Sequence, residues 1–329
     1  MTCRLSMACT MIALGFVSIV SGCSSISNPN IATHSHAVGI QKTPQSIGSW
    51  ATKAPMPTAR AFLAAGVVNS ILYAVGGIGI HSDILNTVEA YNPATDTWTT
   101  KASMPTASYG HAVGVVNGIL YAVGGYDGIR YLDTVEAYNP TTNTWTTKAS
   151  MPTPRYGLAV GVVNGILYAV GGTGIHGRSD MVEGYDPATD TWTIKASMPK
   201  ARENPAAGVI NGILYAVGGY AYGPRHDNQA YNPATNTWAA KALMPTGRWD
   251  LAASILGQRL YAVGGYNYTN RFSNTVEAYN PATDTWTTMA PMPTARDGLA
   301  TRVVGNTLYA VGGLHNGGYL STVEAFTPR

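Results

Sequence analysis

Arginine recurs at Arg60, Arg155, Arg202, Arg248 and Arg296, and glutamate at Glu89, Glu136, Glu183, Glu277 and Glu324. Ser108 interrupts the first column and Gln229 the second. Acids and bases at fixed spacing could run proton transfer. Copies of one active site in nearly every repeat are implausible, however. The two columns read instead as buried carboxylates held by guanidinium or backbone N–H groups.

Chemistry specific to one place belongs where the copies disagree. One such place is the pair after the arginine column: Ala61-Phe62, Tyr109-Gly110, Tyr156-Gly157, Glu203-Asn204, Trp249-Asp250 and Asp297-Gly298. The other is the loop after a recurring Gly-Gly, which brings Tyr126, Arg130, His176, Arg178, Tyr220, Arg225, His226, Tyr266, Arg271 and His315. Aromatic faces beside carboxylates and guanidinium forks suit a sugar or a peptide. Arg302 is a further oddity, because its column otherwise reads Gly66, Gly114, Gly161, Gly208 and Ser254. Its side chain either enters the interior or follows the strand outward. The histidines are too scattered for a metal-spacing argument, and no nucleotide-binding or nucleophile-elbow fingerprint sits in a suitable context. Neither a metal nor a cofactor is expected.

These residues are carried on a repeat. Ala-Val-Gly-Gly occurs six times, ending at Gly77, Gly125, Gly172, Gly219, Gly265 and Gly313, and a Trp keeps step at Trp50, Trp98, Trp145, Trp192, Trp238 and Trp286. The period of 46 to 48 residues signals a repeat architecture. Within one copy, Ala159 to Val163 and Ile166 to Val170 flank Asn164-Gly165, the strongest short hairpin signal. Met181 to Tyr185 predicts a third strand. Asp186-Pro187 predicts a turn, and Trp192 opens a fourth strand. Four short antiparallel strands per copy make a propeller blade. The Tyr and Trp columns (Tyr121, Trp145 and their equivalents) are expected in the core between blades. The chain begins with a fourth strand at Trp50 and ends with a third at Val323 to Phe326, so the first fragment supplies what the last blade lacks.

The Arg, Gly-Gly, Tyr-Asn-Pro and Trp columns resemble the kelch repeat over residues 49 to 326. The resemblance implies an all-β, six-bladed kelch propeller, its ring closed by the N-terminal fourth strand. It also puts the variable pair and the post-Gly-Gly loop at one mouth of a central channel. The candidate ligand-binding set is Phe62, Tyr109, Tyr156, Glu203, Asn204, Trp249, Asp250 and Asp297, with Tyr126, Tyr220, Tyr266 and Arg302. The expected function is a binding or interaction module for a protein or glycan. The alternative is an enzyme resembling the kelch-fold sialic acid mutarotases, with Glu203, Asp250 or Asp297 as general acid or base. Galactose oxidase shares the propeller plan, but its copper site needs a Tyr crosslinked to a Cys, and the repeats contain no Cys.

The ends and bulk numbers supply an address. Cys3, Cys9 and Cys23 are the three cysteines. Residues 1–22 carry Arg4, an apolar stretch from Met7 to Val20, then Ser21 and Gly22, which reads as a signal peptide. Val20-Ser21-Gly22-Cys23 resembles the bacterial lipobox, which implies a lipidated Cys23 at the cell envelope. Ser24 after it points to an outer membrane. Residues 23–47 read as a flexible tether and 48–329 as the propeller. A net charge of +3 without a basic cluster excludes nucleic acid as a partner. A monomer is expected.

Overall fold

The computed structural model describes residues 47–329. The signal peptide, Cys23 and most of the tether lie outside the described residues.

Strands form where the alternation and turn signals place them. In the third repeat they are Ala159–Val163, Ile166–Val170, Val182–Asp186 and Thr191–Lys195, each paired antiparallel to the next. Five more sheets repeat this order. Asn117 and Gly118 have φ of 49° and 76°, the two positive values that a type I′ turn requires. The recurring Gly-Gly has two reasons to be glycine. Gly124 and Gly125 have φ of 65° and 112°, and a Cβ on Gly124 would lie 2.6 Å from the carbonyl oxygen of Arg155 in the next blade.

The six innermost strands contact one another in order, and the last, Ala300–Val304, contacts the first, Ala64–Val68. This is a closed six-bladed propeller. Closure uses the two chain ends: Ser49–Lys53 pairs with Val323–Thr327, with Trp50 opposite Phe326. The last blade therefore has its outer fourth strand, as the other five do.

The core is six slabs between blades. One slab joins Tyr73 and Val75 of the first blade to Leu120 and Tyr138 of the second, all buried. Each fully buried aliphatic side chain contributes roughly 1.5–3 kcal/mol. The tryptophans lie further out than a core position. Trp145 is half-buried on the outer strand, packs with its ring tilted 5.0 Å from Tyr138, and donates its indole N–H to Ala102 O of the preceding blade at 2.9 Å. An Asp or Asn in each outer turn adds a second tie. Asp190 accepts from Tyr185 in its own blade at 2.6 Å and from the Ala149 amide of the preceding blade at 2.9 Å.

Candidate functional site

The repeated charges are paired inside the blades. Arg60–Glu89, Arg155–Glu183, Arg248–Glu277 and Arg296–Glu324 form ion pairs at 2.6–2.8 Å, with each arginine side chain fully buried. Each guanidinium also donates to backbone carbonyls, as Arg155 does to Gly171 O at 2.6 Å and Met181 O at 3.0 Å. Burial pushes the Arg296 guanidinium down to about 10, against the attraction of Glu324. Two blades solve the problem differently. In the fourth, Gln229 accepts from Arg202 at 2.7 Å, and Asp227, 4.0 Å from the same guanidinium, supplies the negative charge. In the second, where Ser108 replaces arginine, Glu136 keeps only Thr106 as partner, and burial raises its carboxyl above the ordinary value.

The variable pair separates into two roles. Its second members, Phe62, Gly110, Gly157, Asn204, Asp250 and Gly298, encircle a cavity of about 100 Å³ at one end of the channel. All six have φ between 51° and 62°. Backbone bonds join them around the ring: Phe62 N donates to Gly298 O at 2.7 Å, Gly110 N to Phe62 O at 2.9 Å, and Gly157 N to Gly110 O at 2.7 Å. The left-handed conformation explains why five of the six are Gly, Asn or Asp. Phe62 is the exception, a bulky side chain held where the conformation is unfavourable for it.

The first members pair with the residue after Gly-Gly and form the wall above that ring: Tyr109 with Tyr126, Glu203 with Tyr220, Trp249 with Tyr266, Asp297 with Leu314. Two aromatic patches result. Tyr109 lies 6.3 Å from Phe62, 5.8 Å from Tyr126 and 6.0 Å from Tyr156, and Tyr131 stacks on Tyr156 at 6.1 Å. On the other side Trp249 packs at 5.3, 4.7 and 5.4 Å from Tyr220, Tyr266 and Tyr268. Arg178 sits 4.9 Å over both Tyr220 and Tyr222, and 3.5 Å from Glu203.

Three carboxylates share this mouth. Burial, with the charges of Asp297 and Glu203, raises Asp250 well above the usual carboxylate range. Burial pushes Asp297 up to about 7, and its Oδ1 has no hydrogen-bond partner. Beyond the loops, Ile80, Ile129, Ile175, Tyr222 and Tyr268 stand exposed in the post-Gly-Gly loops of five successive blades. Among the described residues, no three His, Cys, Asp or Glu side chains gather in a way that would hold a metal ion.

Below the mouth the channel continues through a second cavity of about 110 Å³ to a third of about 320 Å³. Arg302 lines both lower cavities. Its Nη1 donates to Thr301 O at 2.8 Å and its Nη2 to Val113 O of the second blade at 3.0 Å. The side chain therefore enters the channel, well below the residues of the mouth.

Comparison with known proteins agrees with this geometry. The family model described as the Kelch motif matches six times, over residues 59–105, 107–152, 154–199, 201–242, 250–293 and 295–329. The chain belongs to the kelch family. The solved structure of YjhT is similar to this kelch propeller with a TM-score of 0.71 and 18% identity, over 83% of this chain and 94% of that one. At that identity the likeness concerns the fold alone. No curated protein matches the chain.

The kelch mouth brings together Phe62, Tyr109, Tyr126, Tyr156, Glu203, Asn204, Tyr220, Trp249, Asp250, Tyr266 and Asp297, and leaves Arg302 apart from them. Sequence reasoning missed His111. It lines the mouth cavity, is buried with Nδ1 3.2 Å from Ser108 Oγ, has no partner on Nε2, and burial pushes it down to about 4. The available signal was a His in a column that otherwise reads Leu63, Leu158, Pro205, Leu251 and Leu299. Tyr131 and Phe272 were also missed. Each pairs across a short hairpin with an aromatic that follows Gly-Gly, Tyr126 and Tyr266 respectively.

Proposed function

We propose that this kelch propeller is a binding module of a bacterial cell envelope, holding a protein or glycan ligand in its loop-lined mouth. The observation that carries the reading is the pair of aromatic patches, around Tyr156 and around Trp249, at a mouth that also holds Glu203, Asp250 and Asp297. Aromatic faces cover the apolar faces of sugar rings or side chains, while carboxylates accept from hydroxyl or ammonium groups. The exposed apolar tips from Ile80 to Tyr268 extend the contact area for a macromolecular ligand. Phe62 supports the same reading, because an unfavourable backbone at a cavity wall is characteristic of ligand sites. The module acts as a monomer, anchored through a lipidated Cys23 that follows the signal peptide.

A glycan array probed with residues 47–329 tests the mouth. Trp249→Ala should weaken a bound glycan or protein by about 2 kcal/mol or more, as expected for a central aromatic anchor. Unchanged affinity in a folded Trp249→Ala protein would move the site elsewhere. For the anchor, Cys23→Ala should release the full-length chain from membranes; a variant that still sediments with them after a salt wash would rule out the lipobox reading.

A catalytic reading rests on one specific observation. Asp297 combines a carboxyl at about 7 with an unsatisfied oxygen, which suits a general acid or base near neutral pH. In that case Asp297→Asn should abolish a sugar-anomerisation activity while leaving the fold intact.

A further inference from the structure

The lower channel carries a feature that the mouth does not use. The column of Arg302 consists otherwise of glycine and one serine because its side chains aim at the next blade. A Cβ on Gly66 would lie 2.8 Å from Leu120 Cδ1, and one on Gly114 2.7 Å from Leu167 Cδ1. In the fifth blade, Ser254 likewise reaches Thr301 of the sixth at 2.9 Å. A side chain as long as arginine has no room to continue in that direction. It runs into the channel instead and reaches Val113 O on the inner edge of the second blade.

Arg302 thus lies between the middle cavity of about 110 Å³ and the wider chamber of about 320 Å³, and lines both. The chamber is otherwise lined by Val115, Val162, Val209, Ile255 and equivalents, with no other charged residue in its wall. Every arginine of the repeated column has a carboxylate or Gln229 as acceptor. Arg302 has neither among the described residues, and only two carbonyls accept from it. A guanidinium has five N–H donors. Nε and the remaining hydrogens of both terminal nitrogens are therefore available, in a chamber whose apolar wall strengthens any charge interaction. Burial without a compensating negative charge also lowers the Arg302 guanidinium to about 10.

We propose that the chamber below Arg302 is an anion site, taking a small oxyanion (a carboxylate or a phosphate) onto the free edge of the guanidinium. It is a second site, separate from the mouth, and enters from the face that carries the Asn-Gly turns. A pair of oxygens on a carboxylate or on a phosphate can accept two parallel N–H bonds from the guanidinium fork, and a chamber of this size accommodates a small carboxylic acid or phosphate ester.

The test is a titration of residues 47–329 with sodium phosphate and, separately, sodium acetate, at constant ionic strength set by sodium chloride. The readout is the Nε–H resonance of Arg302 in protein with ¹⁵N-labelled arginine, assigned by its absence from Arg302→Gly. Glycine is the residue of this column in four other blades, so that variant should fold. The expected result is a saturable shift of this resonance with at least one of the two anions, while the resonances of the paired column arginines stay still. Which anion acts separates a carboxylate site from a phosphate site. Trp249→Ala should leave the shift unchanged, which distinguishes this site from the mouth. An Arg302 resonance that follows neither anion, or moves only in proportion to the column arginines, would overturn the proposal. Arg302 would then be a staple between the sixth and second blades, seen as a lower melting temperature in Arg302→Gly with no anion dependence to lose.

Discussion

The blade interiors and the mouth both bury charge, and they handle it in opposite ways. Inside the blades, each buried arginine meets an acceptor within its own blade, and four of the pairs are nearly superimposable in their distances. At the mouth, the charges of Asp297 and Glu203 lie close enough to the buried Asp250 to raise its affinity for protons, burial raises that of Asp297, and Arg178 pairs with Glu203 alone. A charge that repeats with its partner is part of the scaffold. A charge that appears once, without a partner, is maintained against its own desolvation cost and marks a place where something else is expected to bind.

The largest effect expected is on the closure that holds both regions in place. Deleting residues 47–54 removes the partner of Val323–Thr327 and the Trp50–Phe326 contact at 5.2 Å, leaving an open sheet edge. The truncated protein should melt at a lower temperature than residues 47–329 and aggregate. An unchanged transition would mean that the ring does not depend on its closing strand.

Next in size is the scaffold charge. Glu183→Ala strands the fully buried Arg155 and should cost about 3–5 kcal/mol in urea unfolding. A loss below about 1 kcal/mol would place these pairs with ordinary surface salt bridges.

The mouth should respond with the opposite sign. The Asp297 carboxyl has a folded pKa above its unfolded value, so the folded state binds the extra proton. Its contribution is most favourable below the unfolded value of 3.8 and is lost as pH rises to about 7. Asp297→Asn should therefore stabilise the protein by on the order of 2 kcal/mol at about pH 8 and by little near pH 4. Thermal melts across that range would show the difference closing as pH falls, and a pH-independent difference would contradict it.

The smallest effect sharpens the comparison within the glutamate column itself. Glu136 has no arginine, and burial raises its carboxyl. Glu136→Gln should change stability at neutral pH by less than about 1 kcal/mol. Column membership alone would make it behave like Glu183, and a loss of equal size would show that the Thr106 bonds suffice to hold a buried carboxylate.

Much of the scaffold was legible because its signals are local and repeated. Asn164-Gly165 between two apolar runs needs no distant partner to specify a hairpin, and the Trp50 and Phe326 fragments announce their pairing by their phase in the repeat. The site was legible only in part. Variation at Asn204 and Asp250 looked functional, yet the backbone itself accounts for Asn or Asp there, through a φ of 51° and 52°. His111 escaped notice because its column looks like core. Gln229 looked like a lost acid, while Asp227 two residues away supplies the charge.

The sequence by itself determined the number of blades, the order of strands within them, the turns and the means of closure. Each follows from side-chain period, turn chemistry and repeat phase, which act over a few residues and are copied six times. Only the tertiary structure decided which charges are paired, which aromatics form a patch, and that Arg302 crosses the channel to a carbonyl 189 residues away. Those outcomes depend on closing the ring. Closure sets six non-identical pairs around one axis, and burial and distance there depend on all the blades together.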